Sequence, residues 1–399
     1  MPHGNNFEHA AYVRSDPGER VGYREYTPDA PPGSPAWQDA MAQHGGALAR
    51  AGVQAVIYLH GAMLGTDPFG VQRLDQVGGL KRGYSRGIPG IDGLLALMRE
   101  GTNGLPALPA GLRPPLPDDA ATRALLDELS GDAANFSATT VDTCAKALAA
   151  SASLSCRRWL WSCEHHHLGR TKAAVDLARR LGMLANELNV GPGARFLILA
   201  HGHVGQVCAL LSNLLSAENS NRTRVLELAG QPASDLAAPL RGTALDIVTL
   251  GTPVRYGWET STIGHLLHLI NHRMMRTDSK RWLAKMELPQ ITMEMPIAWG
   301  GDYLQQLAVA GCDAVPSTEA DQARNKALWE LLEPYEGFER WLECVRKCVR
   351  CPSDGRCLLI DYKDGGSSTA KEHYYGHAAY TRMAHQLFQT GEVVRALYA

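Results

Sequence analysis

The chain has 399 residues and a formal net charge of −2 at pH 7, with 45% hydrophobic and 20% charged residues. Such a nearly neutral chain lacks the basic excess that binds nucleic acid or an anionic membrane surface. Its sequence has no apolar run of the roughly 18 residues that a transmembrane helix needs, and its first residues lack the apolar core of a signal peptide. Nine cysteines, an odd number, favour free thiols in a reducing cytosol. We therefore expect a cytoplasmic protein without a transmembrane segment, a nucleic-acid partner or a cofactor, and the oligomeric state stays open.

The first part of the chain predicts one strand that is buried on both faces. Residues 1–35 are polar and rich in Pro and Gly, and they are compatible with one edge hairpin. Residues 36–51 have the pattern of a helix. The run from Val53 to Leu59 is short, apolar and rich in β-forming residues, and it ends at His60-Gly61. This pattern is typical of a strand inside a parallel sheet.

Strands and helices alternate through the later part of the chain. The strand candidates are residues 159–162, 196–200, 245–250, 306–310 and 357–362. The helix candidates are residues 170–188, a segment that starts near residue 204, and residues 263–272 and 378–397. This alternation predicts βα units, and therefore an α/β fold with a mostly parallel sheet flanked by helices.

A long insertion separates the first strand from these βα units. It covers residues 64–155 and contains a Pro-rich stretch and three helix-like pieces, residues 91–98, 121–129 and 141–150. We therefore expect a core made of residues 1–63 and 156–399, with residues 64–155 as a cap-like insertion.

The segment from Leu197 to Gln206 has the pattern of a nucleophile elbow. An apolar strand is followed by a sharp turn and at once by an amphipathic helix. The small residues Ala200 and Gly205 stand near the turn, where the strand and the helix of such an elbow pass close to each other. The elbow motif presents a serine at the middle of its turn, and the register of this segment places Gly202 there.

Three further motifs occur in the order expected around such an elbow. They are His60-Gly61 after the first buried strand, the Leu-Gly-Thr-Pro of residues 250–253 at a later strand end, and Gly376-His377 before the last helix. With the elbow, they make the chain resemble the α/β-hydrolase-fold superfamily, in particular its esterase-like and lipase-like serine hydrolases. The resemblance covers about residues 53–397. It implies an α/β-hydrolase fold, acyl transfer from a small-molecule ester or acyl substrate, and a triad in the chain order nucleophile, acid, histidine.

Gly202 is the departure from the pattern of this superfamily, because glycine carries no group that attacks a carbonyl carbon. Glycine adopts the strained backbone of an elbow easily, so the fold survives while the covalent step is lost. The leading hypothesis is an ester-hydrolase scaffold without its nucleophile, either an inactive relative or a nucleophile variant. The alternatives are non-catalytic binding of a small molecule or lipid, and serine-independent chemistry that uses His377.

The resemblance also implies a base and an acid. His377 takes the place of the catalytic histidine, and His373 is its rival. The acid should follow the strand after the one that ends at Gly251 and should precede His377. Asp302 is the preferred residue. The other candidates are Asp313, Asp361 and Asp364.

An oxyanion hole and a pocket complete the implied site. The oxyanion donors would be the backbone N–H groups of His203 and of Ala62 or Met63. His60, His201 and Trp258 would line the substrate pocket, and plain core packing is the alternative for Trp258.

A group of four cysteines raises the question of a metal. They are Cys344, Cys348, Cys351 and Cys357. Four thiolates can hold a structural zinc ion, but the spacing C-x₃-C-x₂-C-x₅-C matches no standard zinc motif. Free cysteines are therefore favoured, and we predict no metal.

Overall fold

The structure is a computed structural model, and it describes residues 12–13, 20–28, 30–61, 120–232, 235–272, 301–307, 314–332, 351–352, 354–362 and 374–399. The strands within these residues are, in chain order, β1 (Tyr12–Val13), β2 (Val21–Glu25), β3 (Val53–Gly61), β4 (Ser155–Trp161), β5 (Arg195–His201), β6 (Ala244–Leu250), β7 (His265–Asn271), β8 (Cys351–Pro352) and β9 (Arg356–Asp361). A small separate sheet pairs β1 with β8 in antiparallel orientation. The central sheet has seven strands in the order β2-β9-β7-β6-β5-β3-β4, and all neighbouring pairs are parallel.

Helices cover both faces of this sheet. Those within the described residues are, in chain order, α1 (Pro35–Arg50), α2 (Ala120–Ser130), α3 (Ala138–Leu148), α4 (His167–Glu187), α5 (Val204–Leu215), α6 (Arg222–Leu228), α7 (Tyr303–Leu307), α8 (Glu319–Leu332) and α9 (Gln386–Leu397). The helices α4, α5, α6 and α8 bury apolar side chains on one face, and α1, α3 and α9 do so on the other. The predicted α/β class, with a mostly parallel sheet flanked by helices, is confirmed.

The two-sided burial of the central strands follows from their sequences. In β3, Ile57 and Leu59 belong to the core cluster on the α4 and α5 face, whereas Val56 and Tyr58 belong to the cluster on the α1 face. Successive side chains of a strand point to opposite faces, so a strand covered on both sides must be apolar at nearly every position. This is why β3, β5, β6 and β9 were recognisable as short apolar runs.

The predicted helix over residues 263–272 is wrong, because these residues form β7, a strand between β6 and β9. A strand that is buried on both faces shows no alternation of apolar and polar residues. Its apolar run is therefore compatible with a buried helix as well as with a strand, and the Leu-rich sequence of β7 favours neither clearly.

The predicted strand over residues 306–310 is also wrong. Residues 303–307 form α7, and residues 308–310 lie outside the described residues. The Asp302 carboxylate accepts a hydrogen bond from the backbone N–H of Gln305 at 2.9 Å, which caps the first turn of α7.

Two predictions at the ends of the chain need correction. The edge hairpin within residues 1–35 does not form from β2, because β2 pairs in parallel with β9, with Val21 opposite Cys357. A partner from the far end of the chain leaves no local sequence signal. The last helix begins at Gln386 rather than near residue 378, and two 3₁₀ segments, Tyr374–Tyr380 and Met383–His385, precede it.

Part of the predicted insertion packs into the hydrophobic core on the α1 face of the sheet. Of its three predicted helices, those at residues 121–129 and 141–150 are observed as α2 and α3, and residues 91–98 lie outside the described residues. The apolar side of α3, with Val141 and Leu148, packs with α1 in one core cluster. The division of the chain at residues 63 and 155 stays a prediction.

The strand order reverses between β3 and β5. Along the chain β3 is followed by its neighbour β4 on one side, whereas β5 lies on the other side and β6, β7 and β9 continue outward from it. A crevice opens at such a point outside the carboxyl ends of the strands, and α/β proteins bind ligands there. The strands that end at this crevice are β3, with His60-Gly61, and β5, with His201.

The helices of the described part of the chain include none that combines the length and the apolar character required to span a bilayer.

We expect Asp246→Asn to lower the free energy of unfolding by about 1.5–3 kcal/mol, the range for hydrogen bonds to charged groups, because the Arg195 side chain left behind is 22% exposed. Asp246 is fully buried in β6 and accepts hydrogen bonds from Arg195 at 2.7 and 2.6 Å and from the Tyr398 hydroxyl at 2.7 Å. Urea unfolding followed by circular dichroism measures the change. The control Tyr398→Phe removes one hydrogen bond and should cost about 1 kcal/mol. An Asp246→Asn protein as stable as this control would contradict the prediction.

Candidate functional site

The turn after β5 has the geometry of an elbow. Gly202 follows β5 with a φ of 65°, and α5 begins two residues later at Val204. The backbone N–H of Gly202 donates to the carbonyl of Leu250 at 2.9 Å, and its own carbonyl accepts from the Thr252 hydroxyl at 2.8 Å. Glycine adopts this left-handed conformation without the steric penalty of a Cβ atom. Both backbone polar groups of Gly202 are thus hydrogen-bonded to the segment at the end of β6 and just after it.

A buried histidine–aspartate pair lies above this turn. The Nδ1 atom of His377 is 2.7 Å from Oδ2 of Asp302, and both side chains are fully buried. A carboxylate accepts hydrogen bonds, so Nδ1 carries the proton of a neutral His377 and Nε2 keeps a free lone pair. The pair therefore orients one basic nitrogen.

The basic nitrogen points at Gly202. A Cβ atom placed on Gly202 would lie 2.8 Å from Nε2 of His377, closer than side-chain carbons approach in proteins. Within the described residues this buried Nε2 has no hydrogen-bond partner. The structure thus brings Gly202, His377 and Asp302 together. The imidazole also packs directly against the α carbon of Gly202, so any side chain at residue 202 requires the ring to shift.

The contacts that bring His377 and Asp302 together were not recognised in the sequence. The Asn271 side chain donates to the carbonyl of Gly376 at 2.8 Å, and its backbone carbonyl accepts from the N–H of Asp302 at 3.1 Å. Gly376 has a φ of 85°, and its α carbon faces the carbonyl oxygen of Gly301. The available signal was that a glycine directly precedes both members of the pair.

His201 packs against the imidazole of His377. The two rings are 4.4 Å apart between centroids, and Nε2 of His201 donates to the backbone carbonyl of His377 at 3.1 Å. Burial, and then the neighbouring His377, lower the pKa of His201 well below its usual value. The neutral ring of His201 therefore supports that of His377, and its assignment to the substrate pocket stays a prediction.

The remaining predicted pocket residues have varied surroundings. His60 is fully buried at the end of β3, with its ring 5.8 Å from that of Phe136. Burial, and then the Arg158 guanidinium, lower the pKa of His60 to about 3, so its imidazole is neutral. Trp258 packs in the core against His268, with ring centroids 5.8 Å apart. Their assignment to a substrate pocket stays a prediction.

Of the predicted oxyanion donors, His203 lies within the described residues. His203 directly follows Gly202 and precedes the first residue of α5, and its ring lies 4.4 Å from that of His165. Ala62 and Met63 lie outside the described residues, as do Asp313, Asp364, His373, Cys344 and Cys348. Asp361 lies in β9, and the carboxylate that contacts His377 is that of Asp302.

Metal binding finds no support in the part of the chain that the structure describes. Clusters of three or more His, Cys, Asp or Glu side chains with a geometry suited to a metal ion do not occur among these residues. Cys351 and Cys357 are buried free thiols.

Comparisons of the chain with protein-family models, with curated proteins and with solved structures found no match. The site is consequently defined by its own geometry. Its features are a left-handed glycine at an elbow, a histidine whose free nitrogen faces that glycine, and a buried carboxylate behind the histidine.

We expect Gly376→Ala to lower the free energy of unfolding by more than about 2 kcal/mol. A left-handed backbone costs a non-glycine residue about 1–2 kcal/mol, and the new methyl group would also collide with the carbonyl of Gly301. Thermal and urea unfolding measure the change. Gly46→Ala in α1 is the matched control: its Cβ finds no atom closer than 3.4 Å, so it should stabilise by about 0.5–1 kcal/mol. Equal effects of the two changes would contradict the close approach.

We expect the protein to lose stability as the pH falls from about 6.5 toward about 3. The pKa values of buried His60 and His268 are lowered to about 3, so the unfolded chain binds protons in this window while the folded chain does not. Stability then rises with pH, by up to about 1.4 kcal/mol per pH unit for each histidine. Urea unfolding at neutral pH and near pH 5 measures the slope, and His60→Phe should reduce it. A stability that is independent of pH in this range would refute the prediction.

Proposed function

We propose that the chain has an α/β-hydrolase fold and the framework of an ester hydrolase, with Gly202 in the place of the nucleophile. The observation that carries this proposal is the free Nε2 of His377, which faces the α carbon of Gly202 while Asp302 accepts the Nδ1 proton. In serine hydrolases this arrangement of base and acid activates a hydroxyl group.

The positions of the three residues in the fold support the proposal. Gly202 follows β5, Asp302 follows β7 and His377 follows β9, so all three lie at the carboxyl edge of one parallel sheet. Their chain order is that of the triad in α/β-hydrolases. The elbow also lies at the reversal of the strand order, where ligands bind in this class of fold.

The chemistry follows from what each group holds. With a serine at residue 202, its proton would pass to Nε2 of His377 while the hydroxyl oxygen bonds to the acyl carbon. The backbone N–H after the elbow, that of His203, would stabilise the developing oxyanion, and the leaving alcohol would take the proton back from His377. Gly202 has no such oxygen, so the chain as it stands forms no acyl-enzyme there. It retains the base, the acid and the elbow.

The position of His377 limits what residue 202 can carry. The ring lies closer to Gly202 than a Cβ atom permits, and His201 packs against the same ring. A side chain at residue 202 therefore requires the imidazole to move.

We expect Gly202→Ser to restore nucleophilic chemistry. A fluorophosphonate probe should react with the new hydroxyl, whose proton passes to His377 as the oxygen bonds to phosphorus and fluoride leaves. Intact-protein mass spectrometry measures the adduct. The serine should also lower the free energy of unfolding by about 1–3 kcal/mol, because of the left-handed backbone and the close ring.

Two variants separate nucleophilic chemistry from non-specific labelling. Gly202→Ala has the same Cβ and the same strain but no hydroxyl, so it should remain unlabelled, as should the unchanged chain. Adding His377→Ala to Gly202→Ser should slow labelling by at least about 100-fold. A folded serine variant that remains unlabelled would rule out the hydrolase framework.

A further inference from the structure

A cavity of about 470 Å³ lies away from the His377 pair, between the edge strand β4 and the helices α4 and α5. It is on the sheet face that carries the larger group of helices, including α6 and α8. Its walls come from β3 and β4 below and from α4 and the start of α5 beside them. The residues that the argument uses are Leu59, Trp159, Trp161, Ala173, Leu177 and Val207.

The floor of this cavity and part of its helical wall are apolar and aromatic, whereas its rim is polar. Trp159 and Trp161 stand two residues apart on β4, so both indole rings project from the same side of the strand. Register places Trp159 opposite Leu59 of β3, which extends the apolar floor. On the helical side, Leu177 of α4 and Val207 of α5 close the wall.

Three of the four charged side chains that line the cavity belong to ion pairs. Arg180 binds Asp176 one turn earlier on α4, with Nε and Oδ2 2.7 Å apart. Lys172 lies 3.7 Å from the carboxylate of Asp321 on α8. Glu164, whose side chain is 47% exposed, also lines the cavity, so the lining carries two acidic and two basic side chains, which leave it without net charge.

We propose that this cavity binds an uncharged apolar small molecule, such as an acyl chain or an aromatic ring. Its volume falls within the range of about 300–1,000 Å³ for small-molecule sites, which are mostly apolar and aromatic with few polar groups. Its aromatic walls supply contact area, and its neutral rim excludes no uncharged ligand. The site is separate from the His377 pair, and the proposal does not require the acyl-transfer function.

A row of rings connects the cavity wall to the elbow. The ring of Trp161 contacts that of His165 at 5.2 Å between centroids, and His165 contacts His203 at 4.4 Å. His203 directly follows Gly202. The cavity wall is therefore connected to the elbow through the ring of His165.

The test measures binding to the chain as it stands, with Gly202 in place. The probe is N-phenyl-1-naphthylamine, an uncharged dye that fluoresces in apolar sites and accepts energy from tryptophan. We expect saturable binding, energy transfer from Trp159 and Trp161, and displacement of the dye by 1-decanol. Trp159→Phe should reduce the energy transfer at full occupancy.

Ala173→Leu places three additional carbons in the cavity and should raise the Kd of the dye at least about tenfold. Ala323→Leu, the same change at an exposed position of α8, is the matched control and should leave the Kd unchanged. If the Leu variant does not fold, Ala173→Val, which adds two carbons, should weaken binding in the same direction.

Two results would overturn the proposal. One is the absence of saturable dye binding to the unchanged chain, and the other is a folded Ala173 variant that binds as well as the control. The outcome is independent of fluorophosphonate labelling, because this assay uses no serine and no activity. A failure here leaves the hydrolase framework intact, and a failure of labelling leaves this site intact.

Discussion

The hydrogen bond between Nδ1 of His377 and Asp302 is the contact on which the site depends. It joins two buried side chains at 2.7 Å, and it requires the ends of β7 and β9 to meet. In a buried environment a carboxylate without a donor costs several kcal/mol, so the pair and its surroundings are stable only together. The close approach of Gly301 and Gly376 and the two bonds of Asn271 serve this one contact.

The same contact orients the free nitrogen of His377 toward Gly202. A free imidazole nitrogen that faces an elbow is of use in acyl transfer when a hydroxyl stands between them, and here the ring rests on the α carbon instead. Under the proposed function, the base, its acid and the turn are present while the reacting atom is missing. The geometry of the turn is set by the packing of the strand ends and helix starts and does not require a side chain at residue 202.

Neutral histidines surround this site. Burial lowers the pKa values of His60 and His201, so neither carries a charge near neutral pH. Uncharged rings can stack on His377 and fill the space between the strand ends without repelling it. The cavity between β4 and the helices α4 and α5 has an apolar floor, and Arg180 at its rim is paired with Asp176. The uncharged ligand proposed for it is consistent with these surroundings.

Local sequence was sufficient for the features that arise from a few adjacent residues. The apolar runs of β3, β5 and β6, the elbow with Gly202 at its turn, and the choice of His377 could all be read before the structure, because strand burial and turn geometry are local properties. The partner of β2 and the strand character of β7 emerged from the folded chain. Asp302 was preferred in the sequence over three other aspartates, and only the structure shows its contact with His377. These features depend on which distant segments meet, and a two-sided burial or a contact across most of the chain leaves no periodic trace in the residues themselves.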